Sequence, residues 1–191
     1  MNFLGHLYFS YDNHALMTAN IFGDFVRGKD LSDYPEIIQK GITLHREIDN
    51  YIDTNENVLI LMRSLYAELP KVAGIAVDLY FDHLLAKNWD KYHRTDLKSY
   101  LNSFYQTLDN LDEHYPLEFL IMLGRMRSGN WLWHYRTLEG LTKACKGVSN
   151  RIAFKNVLHT APIFFEKYEN QITEVFHSFM EDAQKRFKKE D

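Results

Sequence analysis

The chain has one cysteine, Cys145, and four prolines in 191 residues. A lone thiol permits no internal disulfide, so the chain reads as resident in a reducing compartment, the cytoplasm. Its nine glycines form no phosphate-cradling loop. There is no P-loop, no Gly-x-Ser-x-Gly elbow and no dinucleotide fingerprint. No apolar run approaches the roughly 18 residues that a membrane span needs. The opening MNFLGHLYFSYDNH has neither a basic region nor a small-residue cleavage site, and it reads as mature structure, not a signal peptide. Positive charge is not in excess: 22 Lys and Arg against 26 Asp and Glu give a net charge of −4. That balance argues against general affinity for nucleic acid or an anionic membrane, but leaves room for a local basic patch.

What is present is apolar and aromatic. Hydrophobic residues make up 46% and aromatic residues 15%, which marks a globular chain. The length suits a single domain over residues 1–191 with a real core. No repeat, low-complexity tract or linker interrupts it. The hydrophobic period is helical nearly throughout, and no alternating run suggests a strand. It predicts helices from near Asn13 to Val26, from Pro35 to about Ile52, and from about Val58 to Leu69. Others run through Asp78 to about Asn88, over Leu97–Leu111, and from Pro116 to about Arg127. Shorter helices follow around Leu132–Cys145 and Ser149–Leu158, then a long one from near Pro162 to Phe187. The tail KRFKKED reads as a frayed, solvated helix end. The expected class is all-α, a compact single domain of about eight helices.

The helix AVDLYFDHLLAKNW is apolar all round and therefore buried, yet it carries Asp78, Asp82 and His83. Asp78 and Asp82 are spaced i, i+4 and point the same way; His83 lies about 100° further round. A buried charge must be paired, hydrogen-bonded or bound to a metal. His45 and Asp49 likewise interrupt the inward stripe Ile38, Ile42, Ile48, Ile52. Asp24 sits in NIFGDFVRG, and His6 in the apolar opening. A lone inward histidine is more often a satisfied core residue, and a lone inward aspartate a cap or a partner for arginine. So many within the first 83 positions point to a shared site instead. Asp24, His45, Asp78, Asp82 and His83 are the expected metal and catalytic set, with His6, Asp49 and Arg46 close by.

Mixed His and Asp donors suit Mn²⁺, Fe²⁺, Mg²⁺ or Zn²⁺, and carboxylate richness leans to Mn²⁺ or Mg²⁺. The lack of cysteine ligands argues against a structural Zn²⁺, and the paired Glu-x-x-His motifs of di-iron bundles are missing. Such an ion acidifies water and neutralises phosphoryl oxygens, so metal-assisted phosphoester hydrolysis is the natural reaction class. Arg46 either contacts a phosphate oxygen or pairs with an acid. Trp131 and Trp133 read as packing. His14, His93, His114, His134, His159 and His177 read as structural or surface residues.

NFLGHLYFS, NIFGDFVRG, GITLHREIDNYID, VDLYFDHLLAKNW and RMRSGNWL resemble the successive motifs of the acyl carrier protein phosphodiesterase family, in order, from residue 2 to about 132. That family is similar to the all-helical HD-type metal-dependent phosphohydrolases. The adjacent pair here, Asp82-His83, reverses the eponymous order. The resemblance implies an HD-phosphohydrolase-like fold and hydrolysis of the phosphodiester joining 4′-phosphopantetheine to the acceptor serine of holo-acyl carrier protein. It also implies Mn²⁺ as activator. Arg27 and Lys29, Lys87, Lys91 and Arg94, and Arg125 and Arg127 each follow or lie in one of these motifs. Singly they read as solvated charges; together they read as a basic rim for an acidic carrier protein and the substrate phosphate. A small-nucleotide phosphohydrolase, or a non-catalytic carrier-protein or metal-binding module, are the alternatives.

Overall fold

The computed structural model describes residues 1–111 and 113–187. Every regular element among them is helical, with eleven α-helices and four 3₁₀ turns. The all-α expectation holds, with more and shorter helices than the period suggests.

Periodicity does not mark α1 (Phe3–Tyr8), because six residues are too few to show it. Nor is so short a helix stable on its own. It exists because its first amides are capped. The Asn2 side chain accepts from Phe3 N–H at 2.7 Å, and the Asp82 carboxylate accepts from Leu4 and Gly5 N–H at 2.7 and 3.0 Å. In α2 (His14–Phe22) the Asn13 side chain caps the Leu16 amide, and a 3₁₀ turn at Gly23–Phe25 ends the helix short of Val26. Next, α3 (Glu36–Thr54) buries Ile38, Ile42, His45, Ile48 and Ile52, the predicted stripe. Helices α2 and α3 pack backbone to backbone at Gly41, where a Cβ would collide with Ala19.

Asn55 caps α4 (Glu56–Leu65). Then α5 (Ala73–Lys87) runs through the core, with Tyr80, Phe81, Leu84 and Leu85 all buried. Two further helices, α6 (Leu97–Thr107) and α7 (Leu117–Ser128), match the predicted stripes.

Three expectations need correction. The segment predicted as one helix over 132–145 divides into α8 (Trp131–His134) and α9 (Leu138–Ser149). Gly140 lies against the carbonyl end of α8, where a Cβ would collide with the His134 carbonyl, and Thr137 caps α9. No α-helix forms over 149–158. There the Asn156 side chain binds the Ser149 hydroxyl and carbonyl and the Leu158 amide, which turns the chain. The last helix breaks at Tyr168 (φ −118°) into α10 (Ala161–Lys167) and α11 (Glu169–Arg186). Of the KRFKKED tail, residues 188–191 lie outside the described residues. One continuous apolar core runs from Met1 to Phe187. No helix among the described residues is long and apolar enough to cross a membrane.

Candidate histidine–carboxylate site

Helices α1, α2 and α3 meet around His6 and His45. Both imidazoles are buried, and they stack with centroids 4.1 Å apart and planes 19° from parallel. Gly23 makes room for this: a Cβ there would enter the His45 ring.

Asn20 fixes the state of His6. Its amide nitrogen donates to the His6 carbonyl at 3.0 Å and to the Ser10 hydroxyl oxygen at 3.1 Å. Its oxygen therefore faces His6 Nδ1, 2.9 Å away, and can only accept. The proton of neutral His6 is placed on Nδ1, which leaves a lone pair on Nε2. That Nε2 lies 3.0 Å from the Met1 carbonyl oxygen and 3.2 Å from Asp49 Oδ1, both acceptors. Burial, above all, lowers the His6 pKa and so favours the neutral ring. Two acceptors thus lie within 3.2 Å of a nitrogen that itself carries a lone pair.

His45 Nε2 lies 3.1 Å from Asp49 Oδ2 and 3.4 Å from Asp24 Oδ1, while its buried Nδ1 has no hydrogen-bond partner. Burial pulls the His45 pKa down, but Asp24 and Asp49 outweigh it and raise the pKa to about 9. Burial alone would raise the Asp49 carboxyl; the two histidines hold it far below the ordinary range. Donor atoms of His6, His45 and Asp49 lie within 4.8 Å of one another, with Asp24 alongside. Two imidazoles and hard carboxylates fit a borderline divalent ion.

The cluster opens into a cleft of about 290 Å³ whose walls include Asp24, Asp49, Asp53, Asp78 and Arg151. Asp78 is 3.1 Å from the Met1 ammonium. Burial and the neighbours Asp78 and Asp49 raise the Asp53 pKa.

The structure places three expected residues outside this cluster. Asp82 is fully buried as the cap of α1, and removal from water pushes its pKa up to about 7 against its two amide bonds and the Met1 ammonium. His83 donates Nδ1–H to the Tyr135 carbonyl at 2.6 Å and packs edge-on against Phe165, outside the cluster. Arg46 reaches the carbonyls of Val26 and Gly28 at 3.3 and 2.7 Å and pins the loop that follows Asp24.

The basic residues scatter. Arg27 and Lys29 are exposed on that same loop. Lys87 pairs with Glu169 at 2.9 Å and stands about 14 Å along α5 from Asp78. Lys91 and Arg94 lie further beyond that end of the helix. Arg127 pairs with Asp109 at 2.7 Å. Only Arg125 lines a cavity that adjoins the cleft.

Sequence reasoning passed over Asn20, Asp53 and Arg151. Asn20 is a buried polar residue in an apolar stretch, and Asp53 extends the series His45, Asp49 by one more turn, so both left a signal. Arg151 follows α9 in a polar turn and left none. The chain's one Glu-x-x-His spacing, Glu174 to His177, is unrelated to the cluster, since His177 meets the Tyr92 hydroxyl.

Fold and site together define an all-helical protein with a histidine–carboxylate cleft at the junction of its first three helices. The acyl carrier protein phosphodiesterase family pattern matches residues 1–183, and the chain belongs to that family. Among its relatives, the acyl carrier protein phosphodiesterase of Yersinia pestis is 29% identical over 181 residues, covering 94% of this chain and 93% of its own. That of Salmonella agona is 28% identical over 152 residues, 79% of each chain. No solved structure matches the chain.

Proposed function

We propose that the protein is a divalent-metal-dependent phosphodiesterase. Its substrate is holo-acyl carrier protein, cleaved at the phosphodiester between 4′-phosphopantetheine and the acceptor serine. Water adds to phosphorus, the bond to the serine oxygen breaks, and that oxygen takes up a proton. The products are apo-carrier protein and 4′-phosphopantetheine. The substrate comes from the names of the relatives. The observation that supports the metal is the approach of His6 Nε2 to the Met1 carbonyl and Asp49, an arrangement a divalent cation would satisfy.

His6, His45, Asp49 and Asp24 would hold the ion, with Mn²⁺ or Mg²⁺ preferred for their oxygen-rich share. Such an ion would supply positive charge to the phosphoryl oxygens and acidify water. Asn20 holds His6 in the tautomer that presents a lone pair. Asp53 and Asp78, the cleft carboxylates outside the cluster, would accept the proton of water and return one to the leaving serine oxygen. Arg27 and Lys29, on the loop beside Asp24, offer positive charge to an acidic carrier protein. A cytoplasmic location fits a chain whose one cysteine is a buried free thiol.

The test is mass spectrometry of holo-carrier protein incubated with the purified chain, with Mn²⁺ and with chelator. Loss of the phosphopantetheine mass with Mn²⁺ alone is expected. Turnover by metal-free protein removes the metal from the reading. Cleavage of nucleotides without any cleavage of carrier removes the substrate.

A further inference from the structure

Next to the acidic cleft lies a second cavity, of about 630 Å³, walled by α7, α8 and α9. It is the larger of the two, and it falls in the range of roughly 300–1,000 Å³ that small ligands occupy. Phe3, Val148 and Arg151 belong to the walls of both, so the two spaces are neighbours across these three residues. Their chemistry differs sharply. The cleft is lined by four aspartates. The cavity is faced largely with apolar groups, among them Phe25, Ile121, Met122 and Trp131. Arg151 stands on the shared wall and makes no ion pair with a described residue. Gly147, on the α9 wall, has no atom within 4 Å of where a Cβ would project, so that wall faces open space.

We propose that this cavity is the subsite for the pantetheine arm of the substrate, and that Arg151 holds an anionic oxygen of the phosphodiester at its entrance. The proposal rests on the carrier-protein reading given above. A phosphodiester seated at the histidine–carboxylate cluster has two walled spaces beside it for its arm. One is the cleft with its aspartates; the other, past Arg151, is the apolar cavity. The arm is neutral, built of methylenes, methyl groups, two amides, a hydroxyl and a terminal thiol, and has no positive charge to offer the carboxylates. Apolar walls recover its hydrophobic surface, and the Arg151 guanidinium, without an ion pair among the described residues, matches the charge of the phosphate where the arm begins. Residues that narrow the cavity then select for the arm without touching the reacting phosphorus, and Arg151 is a binding residue of the substrate.

Gly147→Leu and Gly147→Ala place graded bulk into the cavity from a helix position with no strained backbone, so both are expected to fold. The Mn²⁺-loaded wild type, these two variants and Arg151→Gln are titrated with 4′-phosphopantetheine, with pantetheine and with inorganic phosphate, and assayed on holo-carrier protein. Wild type is expected to bind 4′-phosphopantetheine more tightly than phosphate. Gly147→Leu should lose that advantage and raise KM for holo-carrier protein by about tenfold or more, with Gly147→Ala between. Arg151→Gln should weaken 4′-phosphopantetheine and phosphate but not pantetheine, and Arg151→Lys should recover part of the loss. A Gly147→Leu protein that cleaves holo-carrier with wild-type KM and keeps the advantage overturns the subsite while the enzymatic reading stands. Wild type that neither cleaves holo-carrier nor binds 4′-phosphopantetheine overturns both.

Discussion

His6 and His45 lie face to face, 4.1 Å between centroids, and Asp49 touches both, at 3.2 and 3.1 Å. They are 39 positions apart in sequence and on different helices, α1 and α3. Without an ion, one ring is held neutral by burial and the other protonated by two carboxylates. A divalent ion exchanges that proton for a stronger charge, so loading at neutral pH should release protons.

Removing the groups that face the ion tests the cluster directly. His45→Ala and Asp49→Ala should lose bound Mn²⁺ and turnover while keeping the helical circular dichroism. Asn20→Ala, which frees the His6 ring without removing it, should weaken Mn²⁺ about 10–100-fold. Equilibrium dialysis measures both. Wild-type affinity in Asn20→Ala would place the ion away from His6.

Gly23 is the position most sensitive to a single methyl group. Gly23→Ala must displace the His45 ring. Misplacement of a catalytic group by about 1 Å costs on the order of 10²-fold, so kcat/KM should fall by that much or more. Thermal unfolding monitored in parallel shows whether the loss is local.

Asp82 separates cap from ligand. Asp82→Asn presents an amide N–H₂ to a backbone N–H that needs an acceptor. The expected cost is about 1–3 kcal/mol in urea unfolding, with the Mn²⁺ stoichiometry at saturation unchanged. Loss of metal without loss of stability would make Asp82 a ligand.

The acid limb of stability carries a signature of His83. Burial holds its pKa below the ordinary 6.5. A depressed pKa contributes stability that is complete above the unfolded value of 6.5 and is lost as pH falls through it toward the folded value. Asp82 acts in the opposite sense: its raised pKa contributes stability below the unfolded value that fades as pH rises through about 7. Urea midpoints of wild type and His83→Gln in chelator should therefore converge as the pH drops below 6.5. Subtracting the curves cancels Asp82, and parallel curves would mean that His83 is not held neutral.

The helical class and the inward faces of α3 and α5 were legible because long apolar stripes repeat at the helical period. So was the company of Asp24, His45 and Asp49, each a polar break in such a stripe. The role of Asp82 was not, since a ligand and a remote cap make the same break; only the position of the Leu4 and Gly5 amides tells them apart. The partner of His83 was hidden for a similar reason, being a backbone carbonyl 52 residues away. The split of α8 from α9 and the turn at Asn156 depend on side chain–backbone contacts that no hydrophobic pattern records.

The bond from Asp82 to the start of α1 spans 78 residues. During synthesis the chain emerges from its N-terminus, so His6 leaves the ribosome long before the carboxylate that caps its helix. The first three helices can therefore carry every group proposed to hold the ion and still lack the order to grip one. Maturation of the cluster waits on the docking of α5, and a nascent or truncated chain that stops short of it should scavenge metal poorly.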